Sequence, residues 1–319
     1  MQNKTISLSR QMLGTMVTIT VISDQVAEQG AIHAAFDEIS RIERVFSIYR
    51  PESQLSKVNS EAYTNPVKVD DEILDLIKLS VDVSEKTGGA FDITFASMEK
   101  LWNYRSDEFI PPSQSDITKI LPAFNYKNIL IDEKNKTIRF LNASTKIGLG
   151  AIAKGYAAKR AADVIKSIGI KDGMVACAGD IHVFGKNNGK PWVIGIKHPR
   201  EDSVVGTINL DSGESISTSG DYERFKFYNG KRFHHIINPQ TGYPSESGLI
   251  SVTIIGSDPS CADAYATAIF VMGLNRSKEF LKGENSISAV LIGEDLTLYV
   301  SSSLKGRVSF RDGFKVEFI

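Results

Sequence analysis

Between residues 173 and 236 the chain runs through seven short β-like segments in quick succession. They fall at 173–178, 181–185, 192–197, 204–210, 215–218, 222–228 and 231–236. Only a few polar or glycine residues separate them, and Tyr228-Asn229-Gly230-Lys231 carries the dipeptide of a tight hairpin turn. The helical patterns lie mostly ahead of this run. Strands gathered after helices, rather than alternating with them, constrain the chain to an α+β fold.

The first half supports that reading. Thr15–Ile22 is rich in β-branched residues and reads as a strand. Ile32, Ala35, Phe36, Ile39, Ile42 and Val45 recur at helical spacing, which predicts an amphipathic helix over 25–46 with Asp24 as its N-cap. The polar stretch FSIYRPESQLSKVNS, broken by Pro51, reads as an ordered loop. A second helix is expected from Asp70 or Asp71 to Lys86, closed by Gly88-Gly89. Two strands flank a polar turn at 133–136, and an alanine-rich helix follows over 151–169. A strand at 249–256 and a helix at 259–273 come late. No clean linker divides the 319 residues, so residues 1–319 are expected to form one domain of interwoven lobes.

Composition narrows the function classes. With 42% hydrophobic residues the chain has ample material for a core. Lys+Arg (37) and Asp+Glu (38) nearly cancel, which argues against a nucleic-acid partner. Two cysteines, Cys177 and Cys261, exclude a disulfide framework and a cysteine-rich zinc site. No apolar run is long enough to span a bilayer, and the first residues lack a signal-peptide core. A cytoplasmic protein and one whose leader has been trimmed both fit that composition.

Five constellations have chemical potential. Thr87–Asp92 puts two glycines after a helix, where backbone can approach a ligand closely, though a helix C-cap needs the same residues. Gly148–Ala157 runs small residues into a helix N-terminus with Lys154 close by, a setting for phosphate or for close helix–sheet packing. It fits neither GxxxxGK[ST] nor GxGxxG. Ser217–Tyr222 clusters hydroxyls with Asp221, as many turns do. His234 and His235 alternate across a strand, so one of them at most faces a given cleft and could accept a proton. Asp263 and Thr267 lie one helical turn apart and offer hard oxygen donors suited to Mg²⁺ or Ca²⁺, or simply a local hydrogen bond.

Taken in order, these segments resemble the ApbE family of FAD:protein FMN transferases. The matching stretches are LGTMVTITV, FSIYRPESQLSKVN, TGGAFDITF with Leu101-Trp102, GAIAKGYA, the Gly179-Asp180 pair, PWVIGI, STSGDYERF, HHIINPQTGYP and ADAYATAIFVMG. The resemblance implies an α+β fold with two lobes around an FAD cleft. It implies metal-dependent transfer of FMN from FAD to a threonine or serine hydroxyl of a target flavoprotein, with release of AMP. An FAD pyrophosphatase giving FMN and AMP, or a non-catalytic FAD-binding protein, is the alternative.

Carried over position by position, Asp263, Thr267 and the backbone of Ala151 match metal ligands, for Mg²⁺ or Ca²⁺. Tyr49, Asn59, Ala90, Phe91, Asp92, Lys154 and Ile237 match positions that line the FAD. His235 is the candidate base and Asp221 a candidate helper. The chain departs from the family pattern at Leu13, at Gly148 where an aspartate is usual, at Lys159, and at Phe95–Met98 where a proline-containing run is usual. Family members commonly work as membrane-anchored lipoproteins outside the cytoplasm, which implies a leader absent from this chain.

Overall fold

A computed structural model describes residues 4–23 and 28–319. The expected N-cap Asp24 and the first turn of the first helix lie outside the described residues. In chain order, strands β1 (Lys4–Met12) and β2 (Thr15–Ser23) precede helices α1 (Glu28–Phe46) and α2 (Gln54–Glu61). Next come β3 (Val67–Lys68), α3 (Asp71–Lys86), α4 (Glu99–Trp102), α5 (Gln114–Ile120), β4 (Ile129–Asp132), β5 (Thr137–Phe140) and α6 (Ala153–Ser167). The β-rich part holds β6 (Asp172–Cys177), β7 (Asp180–Phe184), β8 (Trp192–Lys197), β9 (Val204–Leu210), β10 (Ser215–Gly220), β11 (Phe225–Tyr228), β12 (Lys231–His234) and β13 (Leu249–Gly256). Helix α7 (Pro259–Gly283) and strands β14 (Ile287–Gly293), β15 (Leu298–Val300), β16 (Val308–Phe310) and β17 (Val316–Phe318) complete the chain.

A nine-stranded sheet in the order β1-β2-β6-β7-β10-β13-β14-β15-β17 organises the molecule. Its pairings are antiparallel except β15 with β17. Strand side chains alternate between faces, and here both faces are covered. Val17, Ile19 and Val21 of β2 and Val252 and Ile254 of β13 join one core with Ile32, Phe36 and Ile39 of α1 and Ala158 and Ala161 of α6. Ile250 and Ile255 of β13 point the other way and pack with Trp192, Ile194 and Ile208 of the small β16-β9-β8 sheet. Every residue of β13 is therefore buried. A third cluster, Met98, Trp102, Phe109, Ile117 and Phe124, is mainly aromatic and supports the β12–β13 loop.

Three features differ from expectation. The segment read as a loop contains α2: Ser53 accepts the amide of Ser56 at 2.9 Å as an N-cap, and Leu55 and Val58 are buried one turn apart. Pro51 ends before the helix rather than breaking it. The late helix does not stop at 273. Gly273 leaves helical geometry (φ 73°, ψ 172°), a kink that a β-carbon would drive to 2.8 Å from the Ser247 carbonyl oxygen, and the helix resumes beyond it. Finally, β1 forms a full-length hairpin with β2, closed by Leu13 and Gly14 in left-handed conformations. Among the described residues no helix is long and apolar enough to cross a membrane.

Candidate active site

The site begins where α6 and α7 start side by side. Gly155 makes this contact possible, because a β-carbon there would overlap the carbonyl of Pro259. The amide of Gly155, the third residue of α6, has no partner within the helix. It is instead 3.4 Å from Asp263 Oδ2. Lys154, one residue earlier, forms an ion pair with Asp180 and lies 3.5 Å from Asp263 Oδ1.

Asp180 had no role assigned from sequence beyond its place in the Gly179-Asp180 match. The tight turn through Ala178 and Gly179 sets it opposite Cys177 at the start of β7. A dipeptide that reads locally as a turn thus becomes a buried carboxylate in the site. Its second oxygen, Oδ1, is buried without a hydrogen-bond partner.

The electrostatics follow from two buried carboxylates sharing one ammonium. Burial, then the Asp180 charge, raises the Asp263 carboxyl to about 7. Burial pulls the Lys154 ammonium the other way, but Asp180 and Asp263 outweigh it, so its pKa is raised and the lysine stays charged. Burial and the Asp180 charge hold the neighbouring Cys177 thiol up at about 12, which leaves it protonated and inert.

Thr267 follows Asp263 by one turn and its Oγ1 lies 3.2 Å from Ser219 Oγ on β10. With the Ala151 carbonyl these are all oxygen donors, and the charge around them is negative even with Lys154 present. An orphaned Asp180 oxygen and a surplus carboxylate fit a hard divalent cation. No group of three or more His, Cys, Asp or Glu side chains is placed to hold a metal among the described residues. A cation here would therefore draw on hydroxyl, backbone and substrate oxygens as well as on Asp263.

The two histidines have different environments. His234 is buried: its Nε2 faces the Ser245 carbonyl at 2.9 Å, its Nδ1 accepts from the Ile236 amide at 3.3 Å, and its ring meets Phe270 edge-on. Both nitrogens are engaged. His235 is exposed, and its Nδ1 lies 3.2 Å from the Arg224 carbonyl. A carbonyl can only accept, so the ring proton belongs on Nδ1 and Nε2 keeps its lone pair. The surrounding protein, then the Arg224 charge, lowers the His235 pKa, so the ring is neutral at pH 7. Tyr104 donates to the His234 carbonyl at 2.6 Å and Trp102 Nε1 to the Gly242 carbonyl at 2.9 Å, fixing the loop that carries the histidines.

The remaining expected residues divide between cleft and scaffold. Tyr49 is 55% exposed, bonds Glu99 through its hydroxyl, and lies under the Arg105 guanidinium at 4.0 Å from the ring centre. It is an available aromatic face. Ile237 is half-buried against the aromatic cluster. Asn59 clasps the backbone of Ile147, donating to its carbonyl at 2.8 Å and accepting its amide at 2.7 Å. It positions the small-residue run with both ends of its amide. Ala90 and Phe91 are buried in the core. Asp92 accepts from the Thr94 amide and hydroxyl at 2.7 and 2.6 Å and from the Tyr126 amide at 2.7 Å. Asp221 is held by both guanidinium nitrogens of Arg200 at 2.7 Å, with Arg232 at 3.5 Å. The ring of His235 bonds the Arg224 carbonyl, and Asp221 is held between two arginines.

Two of the departures noted in the sequence are one local adjustment. A β-carbon at Gly148 would stand 3.0 Å from Phe95 Cζ and 3.3 Å from the Ala96 β-carbon. The ring at 95 therefore fills the space into which a side chain at 148 would project.

A sequence model of the ApbE family matches residues 13–291. A Klebsiella pneumoniae (strain 342) protein named FAD:protein FMN transferase is 29% identical over 317 residues, covering 98% of each chain. Among solved structures, the ApbE protein of Thermotoga maritima superposes with a TM-score of 0.89 at 38% identity, covering 95% of this chain and 99% of that one. The flavin transferase ApbE of Vibrio cholerae gives 0.86 at 27% identity, covering 96% and 99%.

Proposed function

The chain belongs to the ApbE family, and on that premise we propose that it transfers the FMN part of FAD to a threonine or serine hydroxyl of a target flavoprotein and releases AMP. The observation that carries this reading is the state of His235. It faces solvent and keeps its Nε2 lone pair because Nδ1 is engaged with the Arg224 carbonyl.

The hydroxyl oxygen forms a bond to the phosphorus on the flavin side of the pyrophosphate. Its proton passes to His235 Nε2. The bond from that phosphorus to the bridging oxygen breaks, and AMP leaves with the oxygen and the electron pair. Tyr49 offers a face for a flavin ring, and Lys154 at the start of α6 places a cation by the phosphates. Asp263, Thr267 and the Ala151 carbonyl would hold Mg²⁺ (or Ca²⁺). Bound there, the ion supplies neutralisation of charge on the pyrophosphate oxygens.

The test is the intact mass of candidate flavoproteins co-expressed with the full chain. A gain of one FMN is expected, and His235→Ala should slow it by roughly 10²–10⁴-fold, the usual contribution of a general base. Full turnover by that variant would reject the base. In a parallel incubation of FAD and Mg²⁺ without acceptor, rapid AMP release would identify water as the acceptor and make the protein a pyrophosphatase.

A further inference from the structure

Arg224 is an exposed arginine with no carboxylate partner among the described residues, and it stands beside the proposed base. The hairpin register fixes that position. Phe225 pairs with His234, so Arg224 falls opposite His235, and the His235 amide bonds the Arg224 carbonyl at 3.0 Å. Both residues lie just beyond the paired strands, and the same Arg224 carbonyl also meets His235 Nδ1 at 3.2 Å. The guanidinium extends toward the β1–β2 turn, 3.9 Å from where a β-carbon on Gly14 would lie. Nearby arginines are treated differently: Arg200 and Arg232 both pair with Asp221.

The arrangement is unfavourable unless something anionic joins it. When His235 takes a proton it becomes a second cation directly across the hairpin from Arg224, and opposed like charges on a strand pair repel. Tyr49, whose hydroxyl is bonded to Glu99 and whose ring lies under Arg105, provides the adjoining wall without supplying a free negative charge. An anion between the guanidinium and the imidazole would satisfy both.

We propose that Arg224 binds the phosphate on the flavin side of the substrate, holding the phosphoryl group that is transferred against His235. The proposal rests on the transferase reading above and adds a phosphate-binding residue separate from Lys154 and the oxygen ligands on α7. The planar fork of an arginine suits two phosphate oxygens at once. The ligand class is a flavin 5′-phosphate or its diphosphate ester; an unphosphorylated flavin has nothing for Arg224 to hold.

Titration of the full chain with riboflavin, FMN and FAD, followed by flavin fluorescence, tests this without an acceptor protein. Arg224→Gln should weaken FMN and FAD by about 10- to 100-fold, the range for losing a charged hydrogen bond, and leave riboflavin unchanged. Arg224→Lys should recover part of the loss. An unchanged FMN affinity in Arg224→Gln, or an equal loss for riboflavin, would overturn the assignment. The side chain is exposed, so both variants should keep the wild-type melting temperature. The transferase reading fails separately: a wild-type chain that prefers FMN to riboflavin through Arg224, yet never modifies a co-expressed flavoprotein, would refute transfer and retain the phosphate site.

Discussion

His234 and His235 show how one backbone alternation separates a buried, doubly bonded ring from an exposed one with a free nitrogen, the one proposed to react. His234 has both nitrogens engaged in a buried setting. His234→Ala should therefore cost about 1–3 kcal/mol, since it strands the Ser245 carbonyl and the Ile236 amide; a lowered urea midpoint is the measurement. His235 should behave in the opposite way, losing turnover while keeping stability. Its pKa is lowered by the protein around it and by Arg224. A depressed pKa keeps the base unprotonated as the solution becomes more acidic. The acid limb of a kcat/KM profile, which reports the free enzyme, should then lie below the ordinary histidine value of about 6.5. A limb at or above that value would contradict the assignment of His235 as the base.

At the scale of elements, the site depends on how closely α6 and α7 begin. Gly155→Ala would push against the Pro259 carbonyl. Overpacking of this kind typically costs about 1–3 kcal/mol, so the thermal midpoint should fall, and Lys154 should part from Asp263 with a loss of flavin-nucleotide binding. The elements themselves were largely legible. The apolar periodicity of 32–42 marks the buried face of α1, and the strand expected at 204–210 has the bounds of β9. What escaped was held by interactions the local pattern does not display. Helix α2 depends on one serine cap and two buried residues, too little periodicity to distinguish it from a loop. Asp180 looked like half of a turn because its partner Lys154 lies on another element. Asn59 and Asp92 were identifiable as polar residues near the site. Their use as braces for backbone at 147, 94 and 126 is visible only in three dimensions.

For the whole molecule, the residues proposed for the site come from segments far apart in the chain: Tyr49, Lys154, Asp180, Arg224, His235 and Asp263. A ligand that touches several of them binds the folded chain and not the unfolded one. FAD with Mg²⁺ at about 100 times its dissociation constant should add about 2.7 kcal/mol to stability, seen as a higher melting temperature. Asp263→Asn should remove the Mg²⁺-dependent part of that increment. The central sheet carries a further consequence, for the order in which the protein can be made. Strand β2 pairs with β6, Val17 lying opposite Cys177, so the first hairpin to leave the ribosome has no further sheet neighbour until about 150 more residues have followed it. Such distant pairing makes folding slow. When β6 arrives Lys154 has been synthesised but Asp263, on α7, has not. On the proposed function, flavin would be captured only once α7 has been made, because Asp263 and Thr267 lie on it.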